Sequence, residues 1–301
     1  MTDLAHPLRR SGRRLRKGGR PGGLDRFRPR EDGPVRRSFR DRAAVCGAVL
    51  LASLLLLALF GALGRDWRAL DLAALREPPS ARHWFGTTGT GRDMFALSLR
   101  GMRRSLAVGL AAGLLATAVA AVAGAFAGLV GGALDRLLMG TADLLLVLPG
   151  VLLVAVLAPE GASWGTVVLL LAAFLWPLTA RAVRAQARAL RESEFVLAAF
   201  CLGASRRRVV LRHLLPNLAG LLVADATVNV GLAVMGESGL AFLGFGVRPP
   251  DVSLGTLIAD GTSAATVYPW LFVPPAILLT LIVLAVNLLG DGLHRALGPD
   301  S

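Results

Sequence analysis

The sequence predicts an all-α membrane protein with about six transmembrane helices and a helical hairpin on the cytoplasmic side. Three observations predict it. Hydrophobic residues make up 54% of 301 positions and the mean hydropathy is +0.60, too apolar for a soluble domain of this length. Uncharged runs at 43–64, 105–134, 161–180 and 261–290 each reach the roughly 20 residues that cross hydrocarbon as a helix, and 137–159 and 214–236 do so with one acid each, Asp143 and Asp225. The net charge of +13 gathers at the flanks of these runs. That placement argues for a membrane surface and against nucleic acid.

Residues 1–42 hold 14 basic and five acidic side chains, and 181–217 hold eight and two. Both clusters belong in the cytoplasm by the positive-inside rule, and six spans from an inside N-terminus return the C-terminus to the same side. The loop 65–104 then lies outside although it carries several arginines, a tension that long loops escape.

Taken in order, the tail 1–42 is rich in Arg, Gly and Pro with little apolar periodicity, and reads as a disordered basic arm that anchors topology. The first span is 43–64, followed by the external loop 65–104 with its turn-forming HWFGTTGTGRDMF. A core of five further spans occupies 105–297. Its first helix, about 105–130, is Gly- and Ala-rich, and small residues three and four apart let helices approach closely in lipid. Short interfacial helix is expected just before it, over 95–105. The next two spans, about 137–158 and 162–180, meet at a turn through Pro159, Glu160 and Gly161. Spans at about 216–237 and 269–290 enclose a Gly- and Pro-containing external loop.

The segment 187–217 interrupts this pattern with eight charged positions between apolar runs. One helix is expected from about Ala187 to Leu202, closed by Gly203 as C-cap. Ser205 suits the N-cap of a second helix, which Pro216 after Leu215 should end. The apolar side with Phe195, Leu197, Ala198, Ala199 and Leu202 would be free to enter a groove in another protein. The plain alternative is an amphipathic connecting loop.

The spacing Ala198-Ala199, three residues, Gly203, then Leu215-Pro216 resembles the cytoplasmic coupling loop of ABC importer permeases. Trp176, Ala180-Arg181, Val183-Arg184, Arg212-His213 and Asn217 resemble its surroundings in the dipeptide, oligopeptide and nickel branch. Three other regions resemble that branch too: His83, Phe85-Gly86-Thr87 and Gly91-Arg92-Asp93 with Gly101, Arg103, Ser105 and Leu106; Glu237 with Phe242-Leu243-Gly244, Gly246, Pro249-Pro250, Ser253 and Gly255; and Asn287, Gly290-Asp291-Gly292-Leu293 with Ala296-Leu297. Departures are Thr88 for a usual Asp, Ala96-Leu97 for Ser-Arg, Phe200 for Arg and Leu254 for Trp. The resemblance covers about 43–299 and implies the second, C-type transmembrane subunit of a peptide importer, with nickel or another small solute as the alternative cargo.

It also implies partners: a second permease completing a heterodimer, two cytoplasmic ABC ATPases, an extracytoplasmic solute-binding protein and membrane lipid. On this reading Glu194, Ala198, Ala199, Gly203, Ser205, Leu215 and Pro216 couple to the ATPases, while Gly91, Arg92 and Asp93 make external contacts. ATP is expected on those partner subunits. A P-loop needs a lysine in G-x-x-x-x-G-K-[ST], and the single lysine here is Lys17 in the tail. No covalent chemistry and no cofactor is expected in this chain; His6, His83, His213 and His294 are scattered, and H-E-x-x-H does not occur.

Polar groups within spans are costly and invite a functional reading. Asp225 and Asn229, four apart on one helix face, would line the translocation path or else bind neighbouring helices. Glu237 reads as a structural hydrogen-bonding group. An ion-coupled secondary transporter using Asp225, and more remotely a membrane enzyme, are the rival functions.

Overall fold

The computed structural model describes residues 42–61, 66–157, 163–246 and 251–297. The chain divides into Met1–Gly33 and Pro34–Ser301, and every described element belongs to the second unit. The basic tail up to residue 41 with Lys17, the turn at 159–161 and Pro249-Pro250 lie outside the described residues.

The described elements are helical: α1 Arg42–Phe60, α2 Met94–Val130, α3 Gly132–Val147, α4 Gly150–Leu157, α5 Trp164–Arg191, α6 Glu194–Cys201, α7 Arg206–Val209, a π turn Val210–Leu214, α8 Leu215–Asn217, α9 Ala219–Phe242, α10 Leu254–Thr262, a 3₁₀ turn Pro269–Leu271 and α11 Val273–Leu297. Five stretches are long and apolar enough to cross a membrane: Arg42–Phe60, Met94–Val130, Trp164–Arg191, Ala219–Phe242 and Pro269–Arg295.

The expected span 137–158 is not one helix. It breaks at Leu148, which takes extended backbone (φ −80°, ψ 138°), because the residue before a proline, here Pro149, avoids helical angles. The segment therefore runs as α3 and then α4, with Leu153 N–H donating to Pro149 C=O. The short interfacial helix expected before residue 105 also differs. Residues 94–130 form one helix of 37 residues, about 55 Å long, so α2 outreaches the roughly 30 Å hydrocarbon core. No breaker interrupts it, and Asp93 caps its start.

α2 is the axis of the bundle, with α5 and α9 packed along it, α3 beside α2 and α5, and α1 lying on α11. Its small residues do what their spacing predicts. A Cβ added to Gly113 would stand 2.6 Å from Val230 N of α9, and one added to Gly124 would stand 2.5 Å from Ala180 O of α5. Backbones this close leave no room for a side chain, and van der Waals contact replaces the hydrophobic drive that lipid does not supply. The outward faces of α1 and α2 expose Leu56, Leu59, Phe60, Leu114, Val119 and Val122, as a lipid-facing surface requires.

Candidate functional site

The polar interruption folds as a hairpin, α6 then α7–α8, differing in two places from the expected one. Its first helix starts late. Arg181–Arg191 is made of strong helix formers, so α5 runs on to Arg191, and the chain turns at Ser193 (ψ 147°), whose hydroxyl donates to Leu190 C=O at 2.5 Å. Glu194 then opens α6, where its charge suits the positive end of the helix dipole. Pro216 does not end the second helix. The π turn lets Leu215 N–H reach Val210 C=O, and this widened turn absorbs the proline that a regular helix would reject. The chain passes through Leu218 into α9.

Two caps agree with expectation. Ser205 Oγ accepts from Arg208 N–H at 3.4 Å. Gly203, at φ +79°, closes α6 in a full Schellman motif: its N–H donates to Phe200 C=O at 2.9 Å and Ala204 N–H donates to Ala199 C=O at 3.0 Å. The left-handed angle is what makes glycine the residue of choice there.

The hairpin has an inner and an outer side. Val196, Ala199, Val209, Val210 and Leu214 are buried with Ala125 and Leu129 of α2 and Val183 and Ala187 of α5. Ala199 thus packs mainly against the bundle and contributes only a small edge to the free face expected for it. Phe195, Leu197, Phe200 and Leu202 remain exposed, Leu202 by 88%, and Glu194 and Ala198 are exposed beside them. A concavity of about 350 Å³ opens on this side, lined by Phe195, Ala198, Ala199, Leu202, Ala204, Arg208 and His213. The hairpin is anchored through one face and presents an apolar, basic-rimmed surface with the other.

Ion pairs tie α5 to α3 just before the hairpin. Asp135 of α3 is 5% exposed and accepts from Arg184 Nη2 at 2.7 Å and from Arg188, and Asp143 pairs with Arg181. These contacts join residues about 40 to 50 apart in sequence, beyond any local pattern.

Asn229 and Asp225 separate in space. Asn229 is buried, and its Nδ2 donates to Thr117 Oγ1 of α2 at 2.9 Å and to Thr179 Oγ1 of α5 at 3.0 Å. It binds three helices together. Asp225, half-buried, faces His294 of α11 at 3.7 Å. Interhelical hydrogen bonds in membranes contribute about 0.6 kcal/mol each, so Asn229→Ala should lower stability by about 1 kcal/mol while leaving transport near normal. Thermal melting alongside uptake checks this; lost uptake at unchanged melting temperature would return Asn229 to the path.

The loop before α2 is organised by its own polar groups. Gly91 has φ +76°, and a Cβ there would meet Asp71 C=O at 2.2 Å. Asp93 turns inward: Oδ1 accepts from Ala96 N–H at 2.9 Å, capping α2, and Oδ2 lies 2.9 Å from His83 Nδ1. Thr87 is wholly buried, donating to Ala74 C=O and accepting from Glu77 N–H. Of the three expected external-contact residues, Gly91 and Asp93 shape the loop, and Arg92 does so through its backbone alone, its N–H donating to Thr88 Oγ1 and its C=O accepting from Thr88 N–H.

Sequence reasoning missed the clamps that join this loop region to the bundle. Arg103 donates to the last carbonyls of α1, Ala58 and Leu59, closing that helix as a basic side chain can. Arg100 and Arg104, one turn apart on α2, both grip Asp251; the hydrogen bond from Arg100 above all holds that carboxyl below its ordinary range. Ser105 Oγ donates to fully buried Glu237 at 3.2 Å and accepts from Leu254 N–H at 3.2 Å, joining α2, α9 and α10. The one available signal was an acid or arginine beside an apolar run; its partner lay in another element.

An apolar helical bundle with a hairpin that exposes an apolar face is the arrangement of a membrane permease, and comparison with known proteins agrees. Residues 120–300 match the family described as binding-protein-dependent transport system inner membrane component. The chain belongs to this family and is a multi-pass membrane permease. It is 46% identical over 286 residues to the oligopeptide transport system permease protein OppC of Mycobacterium bovis, covering 92% of this chain and 97% of that one. It is 40% identical to a putative peptide permease protein of Brucella suis over 90% of this chain and 93% of the relative. Against OppC of Bacillus subtilis the identity is 34%, over 86% of each.

Proposed function

We propose that this permease forms one half of a heterodimeric, ATP-driven importer and that its cargo is a di- or oligopeptide. The observation that carries the cargo is the 46% identity, nearly end to end, with a relative named for oligopeptide transport. In this reading both termini and the hairpin face the cytoplasm, because 1–42 and 181–217 hold the densest positive charge.

Two ATPase subunits bind and hydrolyse ATP, one against the outer side of each permease's hairpin. The exposed Phe195, Leu197 and Leu202 supply apolar contact, and Glu194 and Arg208 supply register. Ala199, Gly203, Ser205, Leu215 and Pro216 act by shaping and anchoring that surface. A movement imposed on the hairpin reaches α2 and α5 through Val196, Val209 and Leu214, switching the bundle between two states. A solute-binding protein delivers cargo to the opposite side, over 66–104 and α10.

Reconstitution in liposomes with the second permease, the ATPases and the binding protein tests the proposal. Peptide uptake should require both ATP and binding protein. Peptide accumulation by this chain alone under a proton gradient would refute it.

A further inference from the structure

A cavity of about 240 Å³ lies between the loop before α2 and helix α10. Its floor is apolar, formed by Met94, Leu97 and Leu257, all buried. Its lining carries both signs of charge. Arg92 enters from the loop and Asp260 from α10, and neither has an ion-pair partner among the described residues. Arg92 Nε is buried with no acceptor, although donors removed from water normally find one. Thr88 and Thr90 add hydroxyls beside Arg92. Asp260 is exposed overall, and partial burial of its carboxyl pushes it above its ordinary range with no cation offsetting it.

Three neighbouring acids are engaged elsewhere: Asp71 with Arg82, Asp93 with His83, Asp251 with Arg100 and Arg104. A buried donor without an acceptor and a carboxylate without a cation, lining one cavity with an apolar floor, complement a ligand carrying a carboxylate, a small apolar body and an ammonium group.

We propose that this cavity binds an amino acid or dipeptide as its zwitterion, Arg92 taking the carboxylate and Asp260 the ammonium group. The apolar floor seats the side chain, and the volume excludes a longer peptide from lying wholly inside. The site rests on the peptide-importer reading and deepens it by placing a first contact for cargo on the permease itself. Arg92 suits this role because its planar fork grips a carboxylate bidentately.

The test uses the assembled transporter in nanodiscs without binding protein, titrated calorimetrically with Gly-Leu, Gly-Leu amide and N-acetyl-Gly-Leu. Gly-Leu should bind, and each capped form should bind at least about tenfold more weakly, the loss expected for one charge-assisted hydrogen bond. Asp260→Asn should weaken Gly-Leu by a similar factor yet leave the affinity of N-acetyl-Gly-Leu unchanged. Arg92→Lys should retain more affinity than Arg92→Ala. Equal binding of all three peptides, or wild-type binding by both Asp260→Asn and Arg92→Ala, overturns the site. So does a variant that loses docking of the unloaded binding protein while binding Gly-Leu normally, since the cavity would then seat that protein. A transporter that moves no peptide but binds Gly-Leu through Arg92 and Asp260 would refute the cargo reading and leave the site standing.

Discussion

Replacing Gly203 by proline should abolish ATP-driven uptake while the protein still inserts in the membrane at normal levels. Gly203 holds φ +79°, and proline is locked near −65°. The substitution also deletes the N–H that donates to Phe200 C=O and displaces the neighbouring bond from Ala204 to Ala199. Both bonds of the Schellman motif go, at a cost of about 3 kcal/mol or more at this local turn. The damage stays local, because α5 and α9 are secured independently by the Asp135 ion pairs and the Asn229 clasp. Gly203→Ala, which keeps the N–H and adds only left-handed strain of about 1–2 kcal/mol, should retain partial uptake. Paired measurement of peptide uptake and ATPase stimulation decides: unaltered uptake in Gly203→Pro would remove the hairpin from the coupling path.

The second large effect concerns assembly. Gly124→Leu should prevent accumulation of folded protein, or lower its melting temperature by more than 10 °C or so. A Cβ at 124 would lie 2.5 Å from Ala180 O and 2.8 Å from Val183 Cβ, so α2 and α5 must separate. Overpacking of this kind costs about 3 kcal/mol or more where the obstacle is backbone. It also opens the buried layer that holds Ala125, Val183 and Val196 together. Gly140, with nothing within 4 Å of its added Cβ, is the matched control, and Gly140→Ala should melt as the wild type does. Equal thermal stability of Gly124→Leu and the wild type would show that the two helices are not packed as described.

The helices were legible because apolar length and small-residue spacing act locally, and α2 packs where its glycines fall. The caps at Gly203 and Ser205 were legible for the same reason, each being decided within a few residues. The breaks were less so. Pro149 ends α3 as a proline should, whereas Pro216 is absorbed by the π turn, and only the path of the following chain separates the two outcomes. Asn229 could not be assigned from its own helix, since Thr117 and Thr179 lie 112 and 50 residues away. Ala199 is more buried than its own helix implied because α6 is two turns long, and its rotation is set by α2 and α5. The Arg100–Asp251–Arg104 grip pairs residues some 150 apart and left no local trace.

The uninterrupted length of α2 gives the bundle a mechanical character. Its first turns hold Asp251 and the loop side, its last turns hold the hairpin through Ala125 and Leu129, and Thr117 ties it to α5 and α9 in between. A stiff rod pinned between its ends acts as a lever. Thr117 stands about 20 Å from the hairpin end and about 35 Å from the other, so any tilt about that fulcrum swings the two ends oppositely, with nearly twice the travel at the far mouth.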